Sequence, residues 1–277
     1  MTEKEIKDKL KSVNDTVKIT RAMQMLATTR AYRAQKSEDS ARSYYEMVDS
    51  ALKNMFNANN KDSVLLHEGN GFTALVVIAG DKGLCGDYNN AVFAVADKEI
   101  ESIEKKFKMY SVGFVAREYY RAKGIHTDNS FVYVVNEPTV KDAMKMAEEL
   151  IKSFINDGLK EIKIVYTEYL GNSTAVRTER LLPYSVEATE INEDTMILGD
   201  IDLDIVLKQH LSAKLYYIFA TSSNAVNYKR MMAMREATTN GEEMVDDLTK
   251  AYNRTRQNKI TNELNDSVAA LFGKKYE

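Results

Sequence analysis

From position 6 to position 55 the chain repeats an apolar site at alternating four- and three-residue steps. The sites are Ile6, Leu10, Val13, Val17, Thr20, Gln24, Ala27, Ala31, Ala34, Glu38, Ala41, Tyr45, Val48, Leu52 and Met55, and twelve of the fifteen are apolar. A mean period of 3.5 residues predicts a long helix whose apolar strip winds left-handed against a partner. Residues 1–68 contain no glycine or proline, so nothing interrupts that helix. At 1.5 Å per residue it would run about 85 Å. Ala27, Ala31 and Ala34 would let the partner approach closely, whereas Thr20, Gln24 and Glu38 interrupt the strip.

A partner is available in the same chain. Met234, Ala237, Gly241, Met244, Leu248 and Ala251 follow 3–4 spacing, and Ile260, Leu264, Val268 and Leu271 continue the apolar character. Two long helices from opposite ends would pair antiparallel. Both prolines, Pro138 and Pro183, and ten of the twelve glycines fall between Gly69 and Gly199. The expected division is therefore a long helix in 1–68, an inserted domain in 69–200 and a second long helix in 201–277. Within the insert, Phe72–Ala79, Lys108–Ala116, Phe131–Val135 and Glu161–Tyr169 read as strands, and Val176–Tyr184 adds another. Helices are expected near Asn89–Lys105, Ala116–Lys123 and Val140–Asn156. Alternation of this kind predicts parallel strands with crossover helices in a Rossmann-like sheet. The fold class expected is α/β: a long antiparallel coiled coil of N- and C-terminal helices with an inserted Rossmann-like domain.

Charge follows the same division. Residues 1–57 carry eleven basic and eight acidic side chains, residues 208–277 the same numbers, and the whole chain is at −3, so the middle is acidic. A mildly basic helical pair could suit nucleic acid or an acidic protein sleeve; without an aromatic-interleaved basic cluster, nucleic acid is not expected. The longest apolar run, Ala74–Ala79, is too short to cross a bilayer, and no signal-peptide order opens the chain. A cytoplasmic protein is expected. A single cysteine, Cys85, excludes an internal disulfide, and His67, His126 and His210 lie too far apart in sequence to form a local metal-binding pair.

The glycine-rich run Gly80-Asp81-Lys82-Gly83-Leu84-Cys85-Gly86-Asp87-Tyr88-Asn89 follows the first strand. It has the spacing of neither a phosphate-binding loop nor a dinucleotide fingerprint. Cys85 has no histidine near it in sequence to act as a base. No catalytic residue, cofactor or metal is expected on this chain.

Three blocks resemble the gamma subunit of F-type ATP synthases. Ile19-Thr20-Arg21-Ala22-Met23 is similar to that family's Ile-Thr-Lys-Ala-Met, with Arg30, Arg33, Ala34 and Gln35 continuing it. Asp81 to Asn89 is similar to Asp-Arg-Gly-Leu-Cys-Gly-Gly-Tyr-Asn. Arg230-Met231-Met232-Ala233-Met234, Asn240-Gly241, Tyr252-Asn253, Arg256-Gln257, Ile260-Thr261 and Glu263-Leu264 resemble its closing helix. The resemblance implies a non-catalytic rotor that couples ion flow through a membrane ring of c subunits to ATP chemistry in a ring of three alpha and three beta subunits. The epsilon subunit would be a further partner, and the chain would be peripheral to the cytoplasmic face of the cell membrane. It also implies that Arg256, Gln257 and Thr261 contact the surrounding ring, that Met23 and Arg30 face it from the other helix, and that Leu271 and Phe272 sit in an apolar bearing. The family's acidic lead-in before Arg230-Met231 is absent here, with Thr221 and Ala225-Val226 in its place, and Ile197-Leu198-Gly199-Asp200 replaces a proline-containing stretch. Read from the residues alone, a helical-hairpin scaffold that tethers partners is the alternative function.

Overall fold

The computed structural model describes residues 1–58, 62–103, 106–128, 131, 135–185 and 202–273. The expected strand Phe131–Val135 is described only at its two ends, and the segment Ile197–Asp200 lies outside the described residues. Two helices dominate: α1 (Glu3–Ala58) and the last helix, α5 (Leu203–Gly273). Between them come β1 (Thr73–Ile78), α2 (Tyr88–Ser102), β2 (Phe107–Val112), α3 (Phe114–Ala122), α4 (Val140–Asn156), β3 (Glu161–Tyr169) and β4 (Thr174–Leu182). The chain divides into two compact units, one of Met1–Leu26 with Met231–Glu277, the other of Ala27–Arg230. Each long helix contributes to both.

In the smaller unit, α1 and α5 lie side by side with opposed directions. Glu3 pairs with Lys259 at 3.2 Å and Thr238 Oγ1 donates to Thr20 Oγ1 at 3.0 Å, so partner numbers fall as α1 numbers rise. Arg21 pairs with Glu242. A Cβ on Gly241 would stand 2.6 Å from Val17 Cγ2, so the glycine admits the valine side chain into the surface of α5. Ile6 and Val17 are buried, and Leu10, Val13, Thr20 and Gln24 are half-buried. The α5 side of this contact departs from the expected strip. Met234, Thr238, Gly241, Val245, Leu248 and Tyr252 face inward, while Met244 and Ala251 are exposed. Thr238 takes the inner place expected for Ala237 because its hydroxyl has two partners there, Thr20 and the Met234 carbonyl at 2.8 Å.

The larger unit is built on a four-stranded sheet in the order β2-β1-β3-β4. β1 runs parallel to β2 and β3, and β4 returns antiparallel beside β3. β1 is buried along its whole length because both faces are covered, and an unbroken Thr-Ala-Leu-Val-Val-Ile run suits such a strand. On one face Leu75 and Val77 pack with Val92, Phe93, Ala96 and Tyr120 of α2 and α3. On the other, Ala74, Val76 and Ile78 join Met146 and Leu150 of α4, and Leu211, Leu215 and Phe219 of α5, in the main core.

Residues 218–227 of α5 are buried on every side of the helix. Small polar side chains occupy part of this stretch, and several are bonded. Thr221 Oγ1 accepts from the Tyr169 N–H at 3.0 Å, Ser222 Oγ donates to the Thr167 carbonyl at 3.4 Å, and Asn224 Nδ2 donates to Glu38 Oε2 at 2.7 Å. Glu38 also takes Arg42 at 3.0 Å, so this charged interruption of the α1 strip is buried with two donors rather than left bare. Ala27, Ala34, Ala41, Leu52 and Met55 are buried on the same strip, with Ala31, Tyr45 and Val48 half-buried.

Lower in the same unit His210 of α5 bonds Asp49 of α1 at 2.9 Å, between the rings of Tyr45 and Tyr184. Burial, with Lys53 and Lys214 adding repulsion, holds the imidazole below its ordinary 6.5 despite the Asp49 carboxylate. Asp49 stays ionised because Lys53 and His210 outweigh its own burial. An unfolded chain binds this proton near its ordinary pKa, and the folded chain only at lower pH. The contribution to stability is therefore complete above that value and lost as the pH falls through the folded one. Urea midpoints are expected to drop between about pH 7.5 and about pH 5.5, and His210→Gln should flatten that part of the profile. An unchanged slope in the variant would assign the acid sensitivity elsewhere.

Candidate partner interface

The residues expected to contact partners fall on two surfaces. In the smaller unit α1 begins at Glu3, and Lys259 is the last α5 residue seen to pair with it. Beyond that ion pair α5 continues to Gly273, and its described side chains are exposed on all sides. Arg256, Gln257 and Thr261 are all exposed. Gln257 and Thr261 stand one turn apart, and the Thr261 hydroxyl is turned back to the Gln257 carbonyl at 2.9 Å. Arg256, exposed beside them, carries a planar donor set suited to carboxylates.

Ile260, Leu264 and Val268 were expected to continue the inner strip, but they are 47%, 60% and 48% exposed. Their helical spacing is right, but among the described residues none of this chain covers them. Large apolar side chains repeated along one exposed helix face are a mark of a docking surface. Leu271 and Phe272 fall in the last turn of α5, and their side chains lie outside the described residues. Met23 is half-buried on α1, while Ile19, Met25 and Leu26 nearby are strongly exposed. Arg30 belongs to the larger unit, where it is exposed on α1.

The glycine-rich loop has a role that its sequence did not disclose. Leu84 and Gly86 both have φ of 60°, which turns the loop back on itself. Asn89 Oδ1 accepts from the Gly80 N–H at 2.9 Å, and Asn89 Nδ2 reaches Cys85 Sγ at 3.3 Å. Burial raises the Cys85 thiol pKa although Arg230 opposes it, so Cys85 is a packed thiol and not a ready nucleophile. The loop is fastened to α5. Lys229 pairs with Asp87 at 3.0 Å, Arg230 Nη2 reaches the Lys82 carbonyl at 3.5 Å, and Tyr88 OH reaches the Ser222 carbonyl at 3.4 Å. The one available sequence signal was Asp87, which stands where the resembling family motif has glycine. Among the described residues no group of three His, Cys, Asp or Glu side chains could hold a metal ion, and no helix is long and apolar enough to cross a membrane.

A family model described as ATP synthase matches residues 2–271. The ATP synthase gamma chain of Caldanaerobacter subterraneus subsp. tengcongensis is 33% identical, with 95% of this chain and 97% of that one covered. The ATP synthase gamma chain of Nautilia profundicola is 30% identical, with 98% of each covered. Among solved structures, a chain of the Euglena gracilis mitochondrial ATP synthase rotor gives a TM-score of 0.65 at 14% identity, covering 93% of this chain and 98% of that one. A central stalk and c-ring structure of the Tetrahymena thermophila mitochondrial ATP synthase gives 0.61 at 20% identity, covering 79% and 99%. At those identities the solved structures speak to the fold alone.

Proposed function

Because the chain belongs to the ATP synthase gamma chain family, we propose that it is the central-stalk rotor of a rotary ATP synthase, turning with ion flow and timing ATP synthesis or hydrolysis in other subunits. The observation that carries this reading is the family match from residue 2 to residue 271, which takes in both long helices and the sheet between them in order. The paired ends of α1 and α5 act as an antiparallel coiled coil inside a ring of three alpha and three beta subunits. The sheet, a Rossmann-like domain, sits toward the epsilon subunit and the membrane ring of c subunits. The protein is peripheral to the cytoplasmic face of the cell membrane.

The chain supplies asymmetry. Three equivalent sites around one irregular shaft meet three different surfaces, so each turn shifts their affinities in succession, a coupling through differential contact with conformational states. The exposed Arg256, Gln257 and Thr261 are placed to engage polar loops of that ring, and the stripe of Ile260, Leu264 and Val268 an apolar sleeve. Met23 and Arg30 meet the ring from α1, and Leu271 and Phe272 complete the bearing at the tip. Nucleotide chemistry belongs to the alpha and beta subunits.

Purified from its membrane, the complex should hold one copy of this chain with three alpha and three beta chains; another ratio would favour a tether. Within that complex Arg256→Ala should slow coupled turnover about ten- to hundredfold, the loss of one charge-assisted contact of roughly 1.5–3 kcal/mol. Turnover equal to wild type would remove Arg256 from the contact set.

A further inference from the structure

In the larger unit a cleft of about 730 Å³ opens between α1, α5, the loop after β1 and the segment leading into α4. Its volume is in the range of small-molecule sites, and Lys82 places it at the carboxyl end of β1, the edge where open α/β sheets hold ligands. Three cations line it, Arg30 and Arg33 one turn apart on α1 and Lys82 on the loop, against one carboxylate, Glu137. Among the described residues none of the three cations has an ion-pair partner, whereas the neighbouring Lys229 is paired with Asp87. Burial lowers the basicity of Arg230, with Cys85 opposing and the nearby Arg30 adding to the fall. Among the described lining residues, three cations thus converge against the single carboxylate of Glu137.

From this we propose that the cleft is a binding site for a small phosphate-bearing anion of the pyrophosphate class. Guanidinium groups match phosphate oxygens two at a time, and Lys82 adds a point charge from the facing wall. The start of α4 is not the attraction, because Thr139 Oγ1 already accepts from the Asp142 N–H at 3.2 Å and the Asp142 carboxylate occupies that first turn. The described lining has no aromatic ring on which a base could stack, so phosphate rather than nucleoside is the part recognised.

Calorimetric titration of the full chain with inorganic pyrophosphate, in buffer of roughly physiological ionic strength, tests this. Saturable binding at one site per chain is expected. It should weaken about tenfold in Arg33→Gln and in Lys82→Gln, the loss of one charge-assisted contact each, and stay unchanged in Arg254→Gln, an exposed cation elsewhere. Tripolyphosphate and ATP should bind alike. No saturation, or equal loss in Arg254→Gln, overturns the site. ATP binding far more tightly than tripolyphosphate overturns the phosphate-only recognition. An Asp/Glu-rich peptide that binds where pyrophosphate does not would assign the cleft to an acidic protein segment instead. The proposal does not rest on the rotor reading, which is decided by the chain count of the complex.

Discussion

Ala31→Pro is expected to abolish ion-driven ATP synthesis by the assembled enzyme while the sheet stays folded. Ala31 is half-buried on the inner strip of α1, far from either end of a helix that runs from Glu3 to Ala58. Proline there removes one backbone hydrogen bond and drives its ring into the carbonyl four residues earlier, costing about 3 kcal/mol or more and bending the helix. A bent α1 no longer presents a continuous strip to α5, and a shaft that flexes dissipates torque. Synthesis measured in inverted vesicles, beside near-ultraviolet dichroism of the purified chain, separates lost coupling from lost folding. Coupled synthesis at the wild-type rate would refute the stiff-shaft account.

Gly113→Ala should be the most damaging small substitution in the sheet region, at about 3 kcal/mol or more. Gly113 joins β2 to α3 with φ at 96° and ψ at 141°, a region that only glycine enters without strain. A Cβ there would also overlap the Ala79 carbonyl oxygen at the end of β1. Neither end of the contact can give way easily: Ala79 N–H is held by the Val112 carbonyl at 2.9 Å, and Val115 N–H by the Gly80 carbonyl at 3.1 Å. Urea unfolding reads the effect directly. A midpoint close to wild type would mean that the β2–α3 corner relaxes freely.

The α1 strip was legible because a 3.5-residue repeat without glycine or proline leaves one way to bury its apolar side. The polar sites at Thr20 and Glu38 looked like defects in sequence, but their partners, Thr238 and Asn224, lie about two hundred residues away in the chain. The α5 strip was misphased at Met244 and Ala251 because hydrophobicity favoured Ala237 over Thr238, and cross-helix hydrogen bonding favoured the reverse. Ile260, Leu264 and Val268 carry a pattern that marks burial against something, and periodicity cannot distinguish a partner in the same chain from one in another. Thr221 to Asn224 are a polar run within the expected second long helix, with no sign in the sequence of what would satisfy them. They are buried in the helix because backbone groups of β3 and Glu38 bond Thr221, Ser222 and Asn224. Helix α4 and strand β3 matched their expected limits, Val140–Asn156 and Glu161–Tyr169, because Thr139 caps the one and Gly158 and Leu170 flank the other. The contact roles proposed for Arg256, Gln257 and Thr261 rest on family resemblance alone, since an exposed polar helix face looks the same whether it meets water or a protein.

The stretch of α5 from Ile218 to Asn227, in which every residue is buried, has a mechanical consequence. A helix gripped on one flank only can roll in its seat. This one is keyed at several points of its circumference, by β3 through Thr221 and Ser222, by α1 through Asn224, and just beyond by the glycine-rich loop through Lys229 and Arg230. Angular displacement imposed on the sheet therefore enters the axle without backlash, and slip would require unseating the core itself.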